Sequence, residues 1–406
     1  MKCRHCQTEL IHTFIDLGFA PPSNAYLTVE QLIQPEVYFP LKVKVCEQCW
    51  LVQTEDYAQA DELFNADYAY FSSTSSSWLT HAKRYSESII ERLNLGSQSY
   101  VIEVASNDGY LLKNFVAAGI PCLGIEPTAG TADAAEQLGI PVLREFFGET
   151  LAKQIADTKQ QADLIIGNNV FAHVPDINDF TLGLKAALKP AGTITLEFPH
   201  LMQLIQQVQF DTIYHEHFSY LSLFTVSEIF AASGLRIWDV ETLPTHGGSL
   251  RIYGCHAQDS RKNSDAVNNM LSLERQNELQ TLATYQQFQQ RADKAKNDLL
   301  AFLLEQKRLG KSVVAYGAAA KGNTLLNYAG VKPDLLPVIC DAALSKQGKF
   351  MPGSHIPILA PEILLKRSPD YVLILPWNIK TEVKDQLAWL TQTTFVTAIP
   401  NLETLK

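Results

Sequence analysis

The chain has 406 residues, 46% apolar and 19% charged, and its 33 basic and 43 acidic side chains give a formal charge of −10. That length exceeds one ordinary core and points to two or three domains of a soluble protein. The acidic balance argues against a large non-specific nucleic-acid footprint, which needs a basic face. No run approaches the ~18 apolar residues of a membrane span, and no signal peptide opens the chain. A cytoplasmic protein without nucleic-acid or membrane partners is expected.

Of seven cysteines, four form two CxxC knuckles, Cys3/Cys6 and Cys46/Cys49. An odd count does not read as a disulfide framework. Two matched knuckles complete a tetrahedral zinc site, and four thiolates close its coordination sphere, so the metal is expected to be structural. The spacer holds strand-like LIHTFIDLG and YFPLKVKVC, which can return the second knuckle to the first. Residues 55–92 read as helical and aromatic. Tyr70 and Phe71 precede the Ser/Thr run 72–77, either a loop capping an amphipathic helix or a lid over a ligand of the next domain.

From about 93 to 255 the pattern is strand, turn, helix, repeated. SYVIEVASNDG, PCLGIEP, ADLIIGNNV and GTITLEFP read as strands of a parallel sheet with helices on both faces. Ligands of such sheets bind at the carboxyl ends of the strands. The turn 103–109, with Glu103, Ala105, Asn107 and Gly109, is the expected cofactor cradle. Glu126, after the second strand, is placed to accept ribose hydroxyls. A dinucleotide is compatible with the spacing alone. Asn168, Asn169 and His173 follow a later strand and are candidates to face substrate.

The stretch 210–220, FDTIYHEHFSY, is the expected seat of the chemistry. Histidine titrates nearest neutrality and a neighbouring carboxylate tunes it. A helical turn would put Tyr214 and His217 on one face at i,i+3. A base beside a phenolic donor suits proton abstraction next to a carbonyl. The competing reading is a polar aromatic turn. Further on, THGGSLR places His246 and Arg251 where an anion-facing role is conceivable.

Residues 279–310 read as one long helix ending at Gly310 and linking domains. A second, smaller α/β unit follows. Its first turn, 316–324, resembles a phosphate-cradling loop with Tyr316, Lys321 and Asn323, though not a Walker A pattern.

Taken together, the paired CxxC knuckles, EVASNDGYLL, GIEP, NNVFAHV, EFPHL, FDTIYHEHFSY, THGGSLRIY and YGAAAKGNTLLN resemble the S-adenosylmethionine-dependent sugar C-methyltransferases acting on nucleotide-linked 4-keto deoxysugars. The resemblance spans essentially the whole chain. It departs at Ala319, where a proline is expected.

The resemblance implies an α/β architecture in three parts. These are a zinc-binding domain (1–65), a class I methyltransferase domain (66–256) and a smaller Rossmann-like domain with its linking helix (257–406). S-adenosyl-L-methionine would lie over 103–109, with Glu126 on its ribose, Asn168 and Asn169 nearby, and Tyr70 and Ser77 helping to cover it. Tyr214, Glu216 and His217 would carry the reaction, with His173 close by. A dTDP- or GDP-linked sugar would meet Asn169, His173, His246 and Arg251, and on the C-terminal side Tyr316, Lys321 and Asn323. His217, tuned by Glu216, would remove the proton on C3, and Tyr214 or His173 would hold the enediolate oxygen. A monomer or weak dimer is expected. The rival readings are a sugar O-methyltransferase, a zinc-ribbon RNA methyltransferase and a non-enzymatic nucleotide-sugar scaffold.

Overall fold

Alternating side chains shape the first sheet. In FPLKVKV, Leu41, Val43 and Val45 are buried and the lysines between them are not, the period of a strand with one covered face. A computed structural model describes residues 1–55 and 71–405, so Tyr70 lies outside the described residues. The strands of the first unit are β1 (His12–Ala20), β2 (Phe39–Val45) and β3 (Val52–Thr54).

The central unit supplies β4 (Val101–Val104), β5 (Cys122–Ile125), β6 (Val142–Leu143), β7 (Ala162–Asn168), β8 (Leu188–Pro199), β9 (Ser219–Tyr220), β10 (Leu235–Leu243) and β11 (Ser249–His256). Short β9 leaves this unit and pairs with β3, closing an antiparallel sheet of order β1-β2-β3-β9. The main sheet has order β10-β11-β8-β7-β4-β5-β6. Every residue of β4 and β5 is buried, as continuous apolar runs covered on both faces should be. The sheet is mixed rather than wholly parallel, because β11 pairs antiparallel with both β8 and β10.

The third sheet has order β14-β13-β12-β15-β16-β17. Its strands are β12 (Val313–Tyr316), β13 (Ile339–Cys340), β14 (Ile358–Leu359), β15 (Tyr371–Ile374), β16 (Thr394–Thr397) and β17 (Glu403–Leu405). Only the β16–β17 pair is antiparallel. Three helices matter below: α1 (Ser76–Leu93), α2 (Phe288–Arg308) and α3 (Ala320–Tyr328). The single helix expected over 279–310 is instead a short helix, Leu282–Gln286, meeting α2 at Gln287. The stop at Gly310 holds, with φ of +68°.

α2 buries Phe288, Ala292, Ala295, Leu299 and Leu303, a stripe at helical spacing. That stripe joins the first and third sheets in one core with Phe14, Val43, Leu326 and Ile339. Phe14 stacks on Phe288 with ring centroids 4.5 Å apart, and burying such a ring contributes ~1.5–3 kcal/mol. The opposite end of the N-terminal unit turns the other way. Cys3, Leu10, Cys46 and Leu51 belong to the core of the central sheet, with Phe171, Leu221 and Val226. The N-terminal unit is therefore a wedge with two apolar faces. Among the described residues no helix is long and apolar enough to cross a membrane.

Candidate active site

The two knuckles meet. The sulfurs of Cys3, Cys6, Cys46 and Cys49 all lie within 4.8 Å of one another. Cys3 and Cys49 are 3.5 Å apart, as are Cys6 and Cys46. Zinc–sulfur bonds of about 2.3 Å in a tetrahedron put sulfurs about 3.8 Å apart, so the four thiols fit one zinc ion. The Cys49 thiol holds Cys3 well below the usual thiol range, and Gln53 donates an amide N–H to the Cys3 sulfur at 3.2 Å. The knuckles rest on the catalytic unit, since Arg4 donates to the Pro175 carbonyl at 2.7 Å and Thr225 to that of Cys49 at 3.2 Å.

The turn after β4 takes the shape of a cradle. Ala105, Asn107 and Gly109 all have positive φ, at 56°, 49° and 75°, a conformation costly for the two non-glycine residues. A Cβ on Gly109 would lie 2.5 Å from Ile140 Cδ1. Glu126, at the end of β5, accepts the N–H groups of Asn107 and Thr128, each at 3.0 Å. Around the turn, buried Glu103 Oε2, Asp108 Oδ1 and both amide atoms of Asn168 have no hydrogen-bond partner among the described residues. Burial, reinforced by Glu126 and Asp108, pushes the Glu103 carboxyl well up. Unpartnered buried polar atoms beside a strained turn are what a polar ligand leaves behind.

The Ser/Thr run touches this cradle through its first two serines. The N–H groups of Ser72 and Ser73 donate to Asn107 Oδ1 and Asp108 Oδ2 at 2.9 and 3.0 Å. Ser75 caps α1 by accepting from Trp78 N–H, as its side-chain type favours. Ser77 is exposed, and its hydroxyl lies 3.0 Å from that of Ser75. Trp78 stacks on His81 at 4.9 Å and on Tyr110 at 6.1 Å. Sequence reading missed Trp78, though its place in the first turn of α1 could have drawn notice.

The 210–220 stretch enters as a 3-10 turn, Phe210–Thr212, and then reverses. The His217 N–H donates to the Tyr214 carbonyl at 2.9 Å. A tight turn, not a helix, thus brings the Tyr214 ring to 4.0 Å from that of His217. His173 approaches from the other side, its ring centre 4.6 Å away. His217 Nδ1 donates to the Thr212 carbonyl at 2.8 Å, which leaves Nε2 as the bare nitrogen of a neutral ring. Burial, with His173, His246 and Lys321 nearby, lowers the His217 pKa well below the ordinary value.

Glu216 does not tune His217 directly. Both its oxygens accept from the Asn24 amide, at 2.8 and 2.9 Å, and burial pushes its carboxyl up to about 7. His215 turns away, with Nε2 3.2 Å from the Pro40 carbonyl. His246 adopts a positive φ of 54° and meets the Asn169 amide at 3.1 Å. Burial lowers it to about 4.

Arg251 is not placed as an anion receptor. It is buried, bonded to Glu197 at 2.9 Å and Glu241 at 3.3 Å, and lies 4.4 Å over the Tyr85 ring. Its charge is matched inside the protein, and Glu197 in turn holds His81 and Thr245, each at 3.0 Å.

The third unit closes the site from above. Thr324, in the first turns of α3, donates to the Ile213 carbonyl at 2.8 Å. Lys321 therefore faces the 210–220 stretch. It donates to Asn378 at 2.9 Å and sits 4.7 Å from the centre of the Trp377 ring. Trp377 donates to buried Asp211 at 2.7 Å. Burial lowers Lys321 to about 8, opposed by Asp211. Asn323 is fully buried, with an amide nitrogen lacking a partner. Tyr316 points elsewhere, toward Gln386 at 3.4 Å. Asn24 and Trp377 are site residues that only distant contacts reveal, whereas Thr212 meets His217 from within the same stretch.

A strand-end cradle with unpartnered polar atoms, on a sheet whose last two strands run antiparallel, is the ligand-binding half of a methyltransferase. Family models agree along the chain: one described as "Putative zinc binding domain" matches residues 3–64, "Methyltransferase domain" 78–240, and "C-methyltransferase C-terminal domain" 244–400. The chain is 34% identical over 384 residues to C-methyltransferase NovU of Streptomyces niveus, covering 95% of this chain and 91% of that protein. The protein belongs to this family of S-adenosylmethionine-dependent C-methyltransferases. Solved structures similar to it include a magnesium protoporphyrin IX methyltransferase of Synechocystis PCC 6803 with bound S-adenosylmethionine, at 14% identity, 44% of this chain, 81% of that one and a TM-score of 0.33. An S-adenosylmethionine-dependent methyltransferase of Clostridium acetobutylicum matches at 11% identity, 44% and 92% coverage, and a TM-score of 0.36.

Proposed function

We propose that the protein methylates carbon, at C3, of a nucleotide-linked 4-keto deoxysugar through an enediolate. The observation that carries this reading is the His217 ring. Its Nδ1–H is fixed on Thr212, so neutral Nε2 is the available base, and burial keeps the ring unprotonated at neutral pH. A ketone at C4 makes the C3–H acidic. His217 Nε2 takes that proton as the electrons pass to the C4 oxygen. Tyr214 or His173, each in ring contact with His217, donates to the developing oxyanion. S-adenosylmethionine supplies the methyl as an electrophilic sulfonium carbon. The new C–C bond replaces the S–C bond, and the proton on His217 leaves to solvent.

The donor lies over 103–109, with Glu126 on its ribose and Asn168 and Asn169 beside it. The sugar lies between the central and third units, against His246, Lys321 and Asn323, and a dTDP or GDP group extends from it. Arg251 serves this wall indirectly, by holding Glu197. The zinc site is structural, and the units divide near 65 and 256. The enzyme acts as a monomer or weak dimer in the cytoplasm.

The test is mass spectrometry of protein incubated with S-adenosylmethionine and a panel of dTDP- and GDP-linked 4-keto sugars in deuterated water. A product one methyl heavier is expected, and sugar recovered unmethylated should carry deuterium at C3. His217→Asn should lose both methylation and exchange, with a rate at least about a hundredfold lower, while donor affinity holds. Near-normal exchange in that variant would remove His217 as the base. A new methyl on oxygen rather than carbon, read from the carbon NMR shift of the product, would point to a hydroxyl as the acceptor.

A further inference from the structure

The N-terminal unit reaches into the site through a strap, residues 21–30. Three contacts fix it. The Asn24 amide nitrogen lies 2.8 and 2.9 Å from the two Glu216 carboxylate oxygens. The Tyr26 hydroxyl donates to the Ala318 carbonyl at 2.6 Å. Leu27 and Phe350 exchange both backbone hydrogen bonds, at 3.0 and 2.8 Å. The strap thus spans from the 210–220 turn to the third unit.

Glu216 is 3% exposed, and Asn24 is its only side-chain donor among the described residues. A buried carboxylate with no other donor depends on that one amide to remain ionised. The groups facing Glu216 are few. Tyr26 lies near enough to feel its charge, and Asp341 lies behind Tyr26. The Glu216 backbone lies close enough to the His173 ring to favour its protonated form, against the burial that disfavours it. His215 and His217 flank it in sequence, with their rings committed to Pro40 and Thr212. None of these supplies a second donor to the carboxylate.

We propose that Asn24, carried by the metal-binding unit, is a positioning residue of the active site: its amide binds both oxygens of the Glu216 carboxylate, favours the ionised form against the effect of burial, and so helps to set which proton form of the turn meets the substrate. The proposal rests on reading the 210–220 turn as the reacting site. It also gives the zinc-binding wedge a part in the chemistry, since Asn24 lies in the loop between β1 and β2, which hold the two knuckles together.

The test needs no substrate. Protein labelled with ¹³C at the glutamate side-chain carboxyl is titrated by NMR, and Glu216→Gln identifies the Glu216 signal. The wild type should titrate near 7, where burial places it. Asn24→Asp keeps the shape but replaces the donor by an acceptor. It should move the midpoint up by about one pH unit or more, a tenfold or greater change in proton affinity. Asn24→Ala should move it the same way, which guards against misfolding of either variant. Donor affinity should not change. A limb of the pH–rate profile that is absent in Glu216→Gln should move with the midpoint. An unchanged midpoint in both folded variants would overturn the proposal. If the wild type methylates no sugar in the panel, the substrate reading fails, and the carboxyl titration still decides the role of Asn24.

Discussion

The central and C-terminal sheets build the same device twice and use it differently. Each first strand ends in a tight turn leading toward a helix, and each second strand returns an acid to that turn. Glu126 accepts the Asn107 N–H at 3.0 Å, and Asp341 accepts the Ala318 N–H at 2.7 Å. Each acid also takes the N–H two residues further along its own chain, Thr128 at 3.0 Å and Ala343 at 2.8 Å. The difference lies in front of the turns. At the C-terminal one, the Ala318 carbonyl already accepts from Tyr26 and Lys346, at 2.6 and 2.9 Å. At the central one, Glu103, Asp108 and Asn168 keep buried atoms without partners. On the proposed reading the central turn takes the methyl donor, while the C-terminal turn is bonded at Ala318 by its own chain and serves as a joint, leaving Asn323 in its helix to face the sugar. Topology alone does not make a binding site; unsatisfied polar groups mark it.

The largest expected effect comes from opening the zinc site of the wedge. Cys46→Ala opens the zinc site, and structural zinc contributes roughly 10 kcal/mol or more to the fold around it. The wedge should loosen, taking the strap and Tyr26 with it. Turnover should be lost, and hydrogen exchange at 317–328 should rise sharply. Exchange at 105–115 should rise less, because among the described residues the hydrogen bonds of Glu126 and the 103–109 turn go to Ser72, Ser73 and the turn's own neighbours rather than to the strap. Equal loss of protection at both turns would show that the wedge supports them alike.

A smaller, more local effect separates the two acids. If Glu126 accepts the ribose hydroxyls of the donor, as proposed, Glu126→Gln removes the charge that strengthens those bonds. Bonds to a charged acceptor are worth ~1.5–3 kcal/mol each, so donor affinity measured by calorimetry should fall on the order of a hundredfold. Unchanged affinity would remove Glu126 from the donor site.

Local signals in the sequence were enough for the outline. The strand-end turn 103–109, Glu126 after the next strand and the Tyr214–His217 pairing were legible, because small residues, apolar runs and spacing act over a few positions. Their partners were not. The helix expected at 214–217 is a turn, yet it produces the same pairing, since His217 N–H reaches the Tyr214 carbonyl. Glu216 looked like the tuner of its neighbour, but its partner Asn24 lies 192 residues away. Arg251 looked free until Glu197 met it across adjacent strands. The turn at 316–324 read as a phosphate-cradling loop, and nothing nearby in sequence reveals that Tyr26 bonds its Ala318 carbonyl. Long-range satisfaction of polar groups carries no local pattern, so it is where reading by pattern fails.

The smallest effect tests the joint itself. Asp341→Asn weakens the ion pair with Lys346, 3.4 Å long and partly exposed, and the charge-assisted bonds to the Ala318 and Ala343 N–H groups. Surface screening limits the pair to a fraction of its ideal worth, so the loss should be about 1 kcal/mol, a shift of a few degrees in Tm. Donor affinity should stay at the wild-type value. Product formation should fall less than in Glu126→Gln, because Asp341 faces Tyr26 and Lys346 rather than a ligand. A stability loss without an affinity loss keeps the C-terminal turn a joint. A fall in donor affinity matching that of Glu126→Gln would mean that the two turns do the same work and that the contrast between them is wrong.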